Sequence, residues 1–84
     1  MENGDAGRRL DPRDPNDLEQ LLLLYRPGLI FFIQRFVGDP DTAEDLAIDS
    51  FLELLVHPLR YNGRSSIKTY LFMIGRSKAL NYIK

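Results

Sequence analysis

Eighty-four residues, 44% of them hydrophobic and 27% charged, suit one packed globular domain and exclude a fibre or a wholly disordered chain. There is no cysteine and His57 is the single histidine, which excludes disulfides, thiolate metal sites and any histidine-built metal centre. The net charge of -1 conceals a split: Asp39 to Glu53 holds six acids and no base, whereas Arg60 to Lys84 holds six bases and no acid.

In chain order, Met1 to Asn16 contains two glycines and two Asp-Pro pairs without apolar periodicity, and reads as a flexible leader lacking a fold of its own. It also lacks the charged-then-apolar order of a signal peptide. Apolar runs such as Leu29 to Ile33 fall far short of the about 18 residues a membrane span needs, so a cytoplasmic protein without a membrane partner is expected. Asp17 is a candidate N-cap for a helical run through Tyr25, and Pro27 starts or kinks a second segment that ends near Val37.

Gly38-Asp39-Pro40 reads as a turn, and Asp41 followed by Glu44 has the form of a capping box for a helix from Thr42 to about Val56. His57-Pro58 stops that helix. After a connection from Leu59 to Ser65, Ser66 caps a last helix from Ile67 to Lys84. No window alternates apolar and polar residues long enough for a strand. The expected fold is all-α, a compact bundle of three to four helices over residues 17–84. Because the last helix ends on an apolar pattern with no cap, the chain is expected to continue in a longer protein.

At about 100° per residue, Asp45, Asp49 and Glu53 form one stripe of the acidic helix, and Ala43, Ala47, Ser50 and Leu54 form a small-residue stripe roughly opposite, suited to packing. Ile48 and Leu52 fall between, giving the helix more apolar surface than one core face requires. The plain reading is that they touch a neighbouring helix while the acids form a solvated rim. Carboxylates spaced i, i+4 and i+8, however, repel by about 0.2 to 0.5 kcal/mol per pair. Pairing the acidic and basic segments on the surface would add only about 0 to 1 kcal/mol per pair. A docking face for a basic helical partner fits both facts.

The last helix interleaves aromatics with bases, which suits single-stranded nucleic acid: rings stack on bases and cations meet phosphates. Tyr61, Tyr70 and Tyr82 are candidate platforms, weighed against the plain reading of each as an amphipathic core or rim residue. No catalytic constellation, phosphate-cradling loop or zinc spacing is present. Glu44, Asp45, Asp49 and Glu53 lack a facing ligand set for a divalent ion. The expectation is no enzyme activity, no cofactor, no metal and no small-molecule substrate.

Leu24-Tyr25-Arg26-Pro27, Gly38-Asp39, Ala43-Glu44-Asp45-Leu46 through Phe51, Tyr61 to Ser66 and Thr69-Tyr70-Leu71-Phe72-Met73-Ile74, taken as an ordered set, resemble region 2 of the extracytoplasmic-function subfamily of sigma-70 RNA polymerase sigma factors, over about Asp17 to Lys84. The resemblance implies a sigma factor domain acting in transcription initiation. It would dock Asp45, Ile48, Asp49, Leu52 and Glu53 on the clamp helices of the polymerase beta-prime subunit. It would hold the non-template single strand of the promoter minus-ten element with Tyr61, Asn62, Gly63, Arg64, Ser65, Lys68, Tyr70, Arg76, Ser77 and Asn81, a flipped base entering the loop. An anti-sigma factor is a further partner the resemblance implies.

Ile48 stands where the family usually has glutamine, Tyr70 where it has tryptophan, Ser77 where it has asparagine, and Asn81 where aspartate or asparagine is common. Ser77 is the consequential departure, since a hydroxyl cannot reproduce an amide's paired donor and acceptor at a base edge. The helix-turn-helix domain that reads the minus-thirty-five element in such factors has no counterpart in these residues, so weak promoter binding by this domain alone is expected. Two other readings stand beside this one. One is a sigma-like module that binds polymerase or an anti-sigma protein without DNA. The other is a helix-turn-helix repressor fragment, disfavoured because the last helix is too apolar around its circumference to lie in a major groove.

Overall fold

The computed structural model describes residues 10, 11, 13–57, 60, 61 and 63–84. Three helices account for most of them: α1 (Pro15–Val37), α2 (Pro40–Val56) and α3 (Ile67–Ile83). Each packs on both others, giving the three-helix form of the expected all-α bundle.

α1 begins at Asp14, whose side chain accepts the Asn16 N–H, with Pro15 at the first helical position, where its missing donor costs nothing. Asp17 is therefore not the cap. It lies inside the first turn, is only 3% exposed, and its Oδ2 accepts the Asp11 N–H at 2.9 Å. The segment before the helix is tied to the bundle there, and Leu10 packs against the core.

Pro27 neither starts nor ends a helix, since α1 runs through it for 23 residues. The hydrogen bond that proline forfeits would have reached the Leu23 carbonyl, and both Leu23 and Pro27 lie on the exposed side, where water can satisfy it. Leu21, Leu29 and Ile33, fully buried on either side of the proline, hold the helix in one piece.

Gly38 ends α1 at φ 79°, the left-handed conformation that favours glycine, and its N–H donates to Gln34 O at 2.7 Å. The next cap is Asp39 and not Asp41: Asp39 Oδ2 accepts the Thr42 N–H at 2.9 Å and the Thr42 hydroxyl at 2.6 Å. Pro40 at the first helical position fixes that earlier start, and Glu44 reaches instead to Arg26 of α1, 2.6 Å away.

Those bonds from Thr42, the hydroxyl first and the amide second, hold the Asp39 carboxyl below its ordinary value of 3.8. A depressed folded value means that the contribution is complete above the unfolded value and lost as pH falls through the folded one. Acid titration of stability, followed by circular dichroism, is expected to show a smaller loss below pH 3.8 for Asp39→Asn than for the wild type. Equal slopes would remove Asp39 from the acid response.

The stripe Ala43, Ala47, Ser50 and Leu54 is fully buried, as its small residues predict, with Phe51 5% exposed beside it. Ser50 enters the core without an unpaired hydroxyl, since its Oγ donates to Leu46 O at 2.8 Å. Ser66 caps α3 as expected, accepting the Thr69 N–H at 3.1 Å. Ile67, Leu71, Ile74, Gly75 and Ala79 form the buried stripe of α3. Among the described residues no helix is long and apolar enough to cross a membrane.

Candidate functional site

Asp45 and Asp49 project from the exposed side of α2, and neither joins an ion pair among the described residues. Next to them Ile48 is 42% and Leu52 49% exposed. The neighbouring helix α1 covers these two only in part. Leu18, Leu22 and Arg26 of α1 meet Ile48, Phe51, Leu52 and Leu55 of α2 around an open apolar groove of about 150 Å³. An apolar trough beside two uncompensated carboxylates is a physical match for a helix with an apolar ridge and basic flanks.

Glu53 departs from the predicted acidic stripe. It turns toward α3, its Oε1 lying 3.2 Å from Lys78 Nζ, so it links the acidic and basic segments instead of facing outward with Asp45 and Asp49. With both side chains about 30% exposed, such a pair is worth at most about 1 kcal/mol. Asp49 and Glu53 also border a polar hollow of about 270 Å³ with Leu52, Val56, His57, Arg60 and Lys78.

The loop before α3 turns at Gly63, whose φ of 79° lies in the left-handed region open to glycine at no steric cost. Tyr61 is half-buried; its hydroxyl donates to Ser65 O at 2.6 Å and its ring sits 5.2 Å from that of Tyr70. The two rings pack against each other at a tilt of 42° at the edge of the core, so both are less open than Tyr82, which is 57% exposed. Gly63 and Ser65 are partly covered and Arg64 is exposed. Asn62 lies outside the described residues.

On α3 the predicted contact residues divide between the two flanks of the buried stripe. At about 100° per residue, Tyr70, Ser77 and Asn81 share one sector and Lys68 and Arg76 the other. Lys68, Ser77, Arg76 and Asn81 are exposed. Lys68 and Arg76, with Thr69, Phe72 and Met73, line a groove of about 340 Å³ against Phe32 of α1.

The region from Leu21 to Lys84 matches the family model for sigma-70 region 2. The chain belongs to the sigma-70 region 2 family. A "Probable RNA polymerase sigma factor" of Haemophilus influenzae is 32% identical over 69 residues, covering 82% of the chain and 34% of that protein. "RNA polymerase sigma factor YlaC" of Bacillus subtilis is 29% identical over 69 residues, 82% of the chain and 40% of that protein. The chain thus spans about a third to two fifths of the length of these curated relatives. No solved structure shows a significant match. Sigma factors are not enzymes, and what this region 2 domain exposes is a pair of carboxylates and several surface grooves.

Several residues of those surfaces escaped the sequence reading. Leu18, Leu22 and Arg26 recur at four-residue steps before Pro27, which is enough to place them on one helical stripe; that the stripe lies against Ile48, Phe51, Leu52 and Leu55 of α2 carries no local signal. Phe32 and Phe72, 5.2 Å apart on different helices, carry no local signal, because only the packing of α3 on α1 brings them together.

Proposed function

We propose that this chain is the promoter-melting domain of an extracytoplasmic-function sigma factor, working in the cytoplasm. It binds the clamp helices of the polymerase beta-prime subunit through α2 and the non-template strand of the minus-ten element through α3 and the loop before it. The observation that carries this reading is the pair of unneutralised carboxylates, Asp45 and Asp49, beside the apolar groove at Ile48 and Leu52. Within a family of polymerase-associated proteins, a face of that chemistry suits a basic, amphipathic partner helix. Glu53, held by Lys78, contributes less.

The test is titration of a clamp-helix fragment, or core polymerase, with the wild type and with Asp45→Arg combined with Asp49→Arg. Turning both charges is expected to weaken binding at least about tenfold, roughly 1.4 kcal/mol, more at low salt than at high. Equal affinity of the two proteins would defeat the proposal.

A second reading, a sigma-like module that binds polymerase or an anti-sigma factor without DNA, is favoured by one observation: Tyr61 spends its hydroxyl on Ser65 and its ring on Tyr70. Single-stranded minus-ten oligonucleotides added to the polymerase complex at two salt concentrations separate the readings. DNA contact imposes a salt slope of about 0.7 per neutralised phosphate, and no binding at either salt favours the second.

A further inference from the structure

The face described on α2 suits a helix with an apolar ridge and basic flanks, and the chain itself carries one. On α3, at about 100° per residue, Met73 and Leu80 fall on the line directly opposite the buried stripe, with Arg76 on one side of them and Lys84, just past the helix end, on the other. Met73 is 61% exposed and Leu80 36%. Arg76 and Lys84 are exposed as well, and neither joins an ion pair among the described residues. On α2 the line opposite the buried stripe passes through Asp45, Leu52 and Val56, with Ile48 on one flank and Asp49 on the other. Both faces point away from the core their helices share, so they cannot meet within one molecule.

Between two molecules they match. Asp45 to Val56 and Met73 to Lys84 are each eleven residue steps, roughly 16 to 17 Å at the helical rise, so the two faces are equal in length. Their charges are opposite and unmixed. The pairs made inside the fold, Arg26 with Glu44 and Lys78 with Glu53, leave Asp45 and Asp49 outward on α2 and Arg76 and Lys84 outward on α3. Setting α2 against its own copy would bring acids onto acids, which costs energy in any interface. The exposed Leu23, Leu24 and Phe31 of α1 have no such charges to choose and orient a partner.

We propose that free copies of this chain pair with each other, the acidic and apolar face of α2 in one receiving the Met73 and Leu80 ridge of α3 in the other. In each copy α2 and α3 lie side by side, joined by Glu53 and Lys78 at 3.2 Å. A twofold axis therefore makes both contacts at once and closes the assembly at a dimer. The dimer covers Asp45, Ile48, Asp49 and Leu52, so self-association withholds the face proposed for polymerase until a clamp helix displaces the second copy. That consequence rests on the polymerase reading; the pairing itself does not.

Sedimentation velocity on nucleic-acid-free protein, from about 1 µM to about 1 mM, is expected to show a monomer–dimer equilibrium with a dissociation constant on the order of 100 µM, as suits a contact of two short helices. The association should weaken as salt rises. Asp45→Arg with Asp49→Arg, and separately Arg76→Glu with Lys84→Glu, should each weaken it at least about tenfold, since like charges then face each other. An equimolar mixture of these two variants should dimerise again, because every contact in the mixed pair sets acid against base. A wild type that stays monomeric throughout, or a mixture that does, overturns the proposal. Dimer kept by both variants but lost in Leu24→Asp with Phe31→Asp puts the contact on the outer side of α1 and overturns it too. Clamp-helix titration at the lowest concentration, where the chain is monomeric, separates the two claims. A response to Asp45 and Asp49 there, without dimer at any concentration, removes the pairing and leaves the polymerase role. Charge-swapped dimer without any clamp-helix binding keeps the pairing and removes that role.

Discussion

Gly75→Val is expected to destabilise the bundle by about 2 to 3 kcal/mol, the cost of overfilling a packed core. A Cβ at Gly75 would stand 2.8 Å from Leu29 Cδ1 and 3.2 Å from Ile33 Cδ1, and both of those side chains are fully buried, so neither can swing into solvent. Alanine tests where the limit lies. It gains about 1 kcal/mol of helix propensity over glycine, and the nearest obstacle is a side-chain tip able to yield a little, so Gly75→Ala should lie near the wild type. Valine adds two methyl groups in the same crevice and a β-branched χ1 that α-helices restrict. Thermal unfolding should place the valine protein roughly 10 to 20 °C below the wild type. A difference under about 2 °C would mean that α1 and α3 are not held as closely as these distances state.

That contact also marks the boundary of what the sequence disclosed. The periodicity of α2 was sufficient to bury Ala43, Ala47, Ser50 and Leu54 and to leave Asp45, Ile48, Asp49 and Leu52 outside, because each of those assignments depends only on neighbours within the same helix. The caps were less legible. Asp14 competes with Asp17, and Asp39 with Asp41, and in both cases the residue immediately before a proline prevails. A fixed φ and a missing N–H make proline a natural first helical residue, a local cue stronger than a capping-box match two residues on.

What depends on two helices at once could not be read along the chain. The turn of Glu53 toward Lys78, the pairing of Arg26 with Glu44 and the meeting of Phe32 with Phe72 all follow from crossing geometry. The persistence of α1 through Pro27 belongs to the same class, since burial of Leu21, Leu29 and Ile33 outweighs one lost hydrogen bond on the wet side of the helix. The sites therefore shifted more than the fold did. The acidic stripe lost Glu53 and gained an apolar trough, and the basic helix separated into two flanks with different chemistry.

The trough leads to the second large effect. Replacing Ile48 and Leu52 together by aspartate is expected to weaken binding of the clamp-helix fragment about a hundredfold, more than reversing Asp45 and Asp49 does. Fully burying one such side chain is worth about 1.5 to 3 kcal/mol. Ile48 and Leu52 are 42% and 49% exposed in the free chain, so a partner helix still has roughly half of each to cover. That comes to about 1 kcal/mol apiece, and the loss grows once a carboxylate must be desolvated in the same place. The fold should tolerate the change, because neither residue belongs to the fully buried set. Salt separates the two contributions: the affinity lost on turning Asp45 and Asp49 should shrink as ionic strength rises, since it is Coulombic and screened, whereas the loss at Ile48 and Leu52 should remain. Binding that survives both aspartates at high salt would show that the partner never enters the groove between α1 and α2, and would leave charge alone to hold the two proteins together.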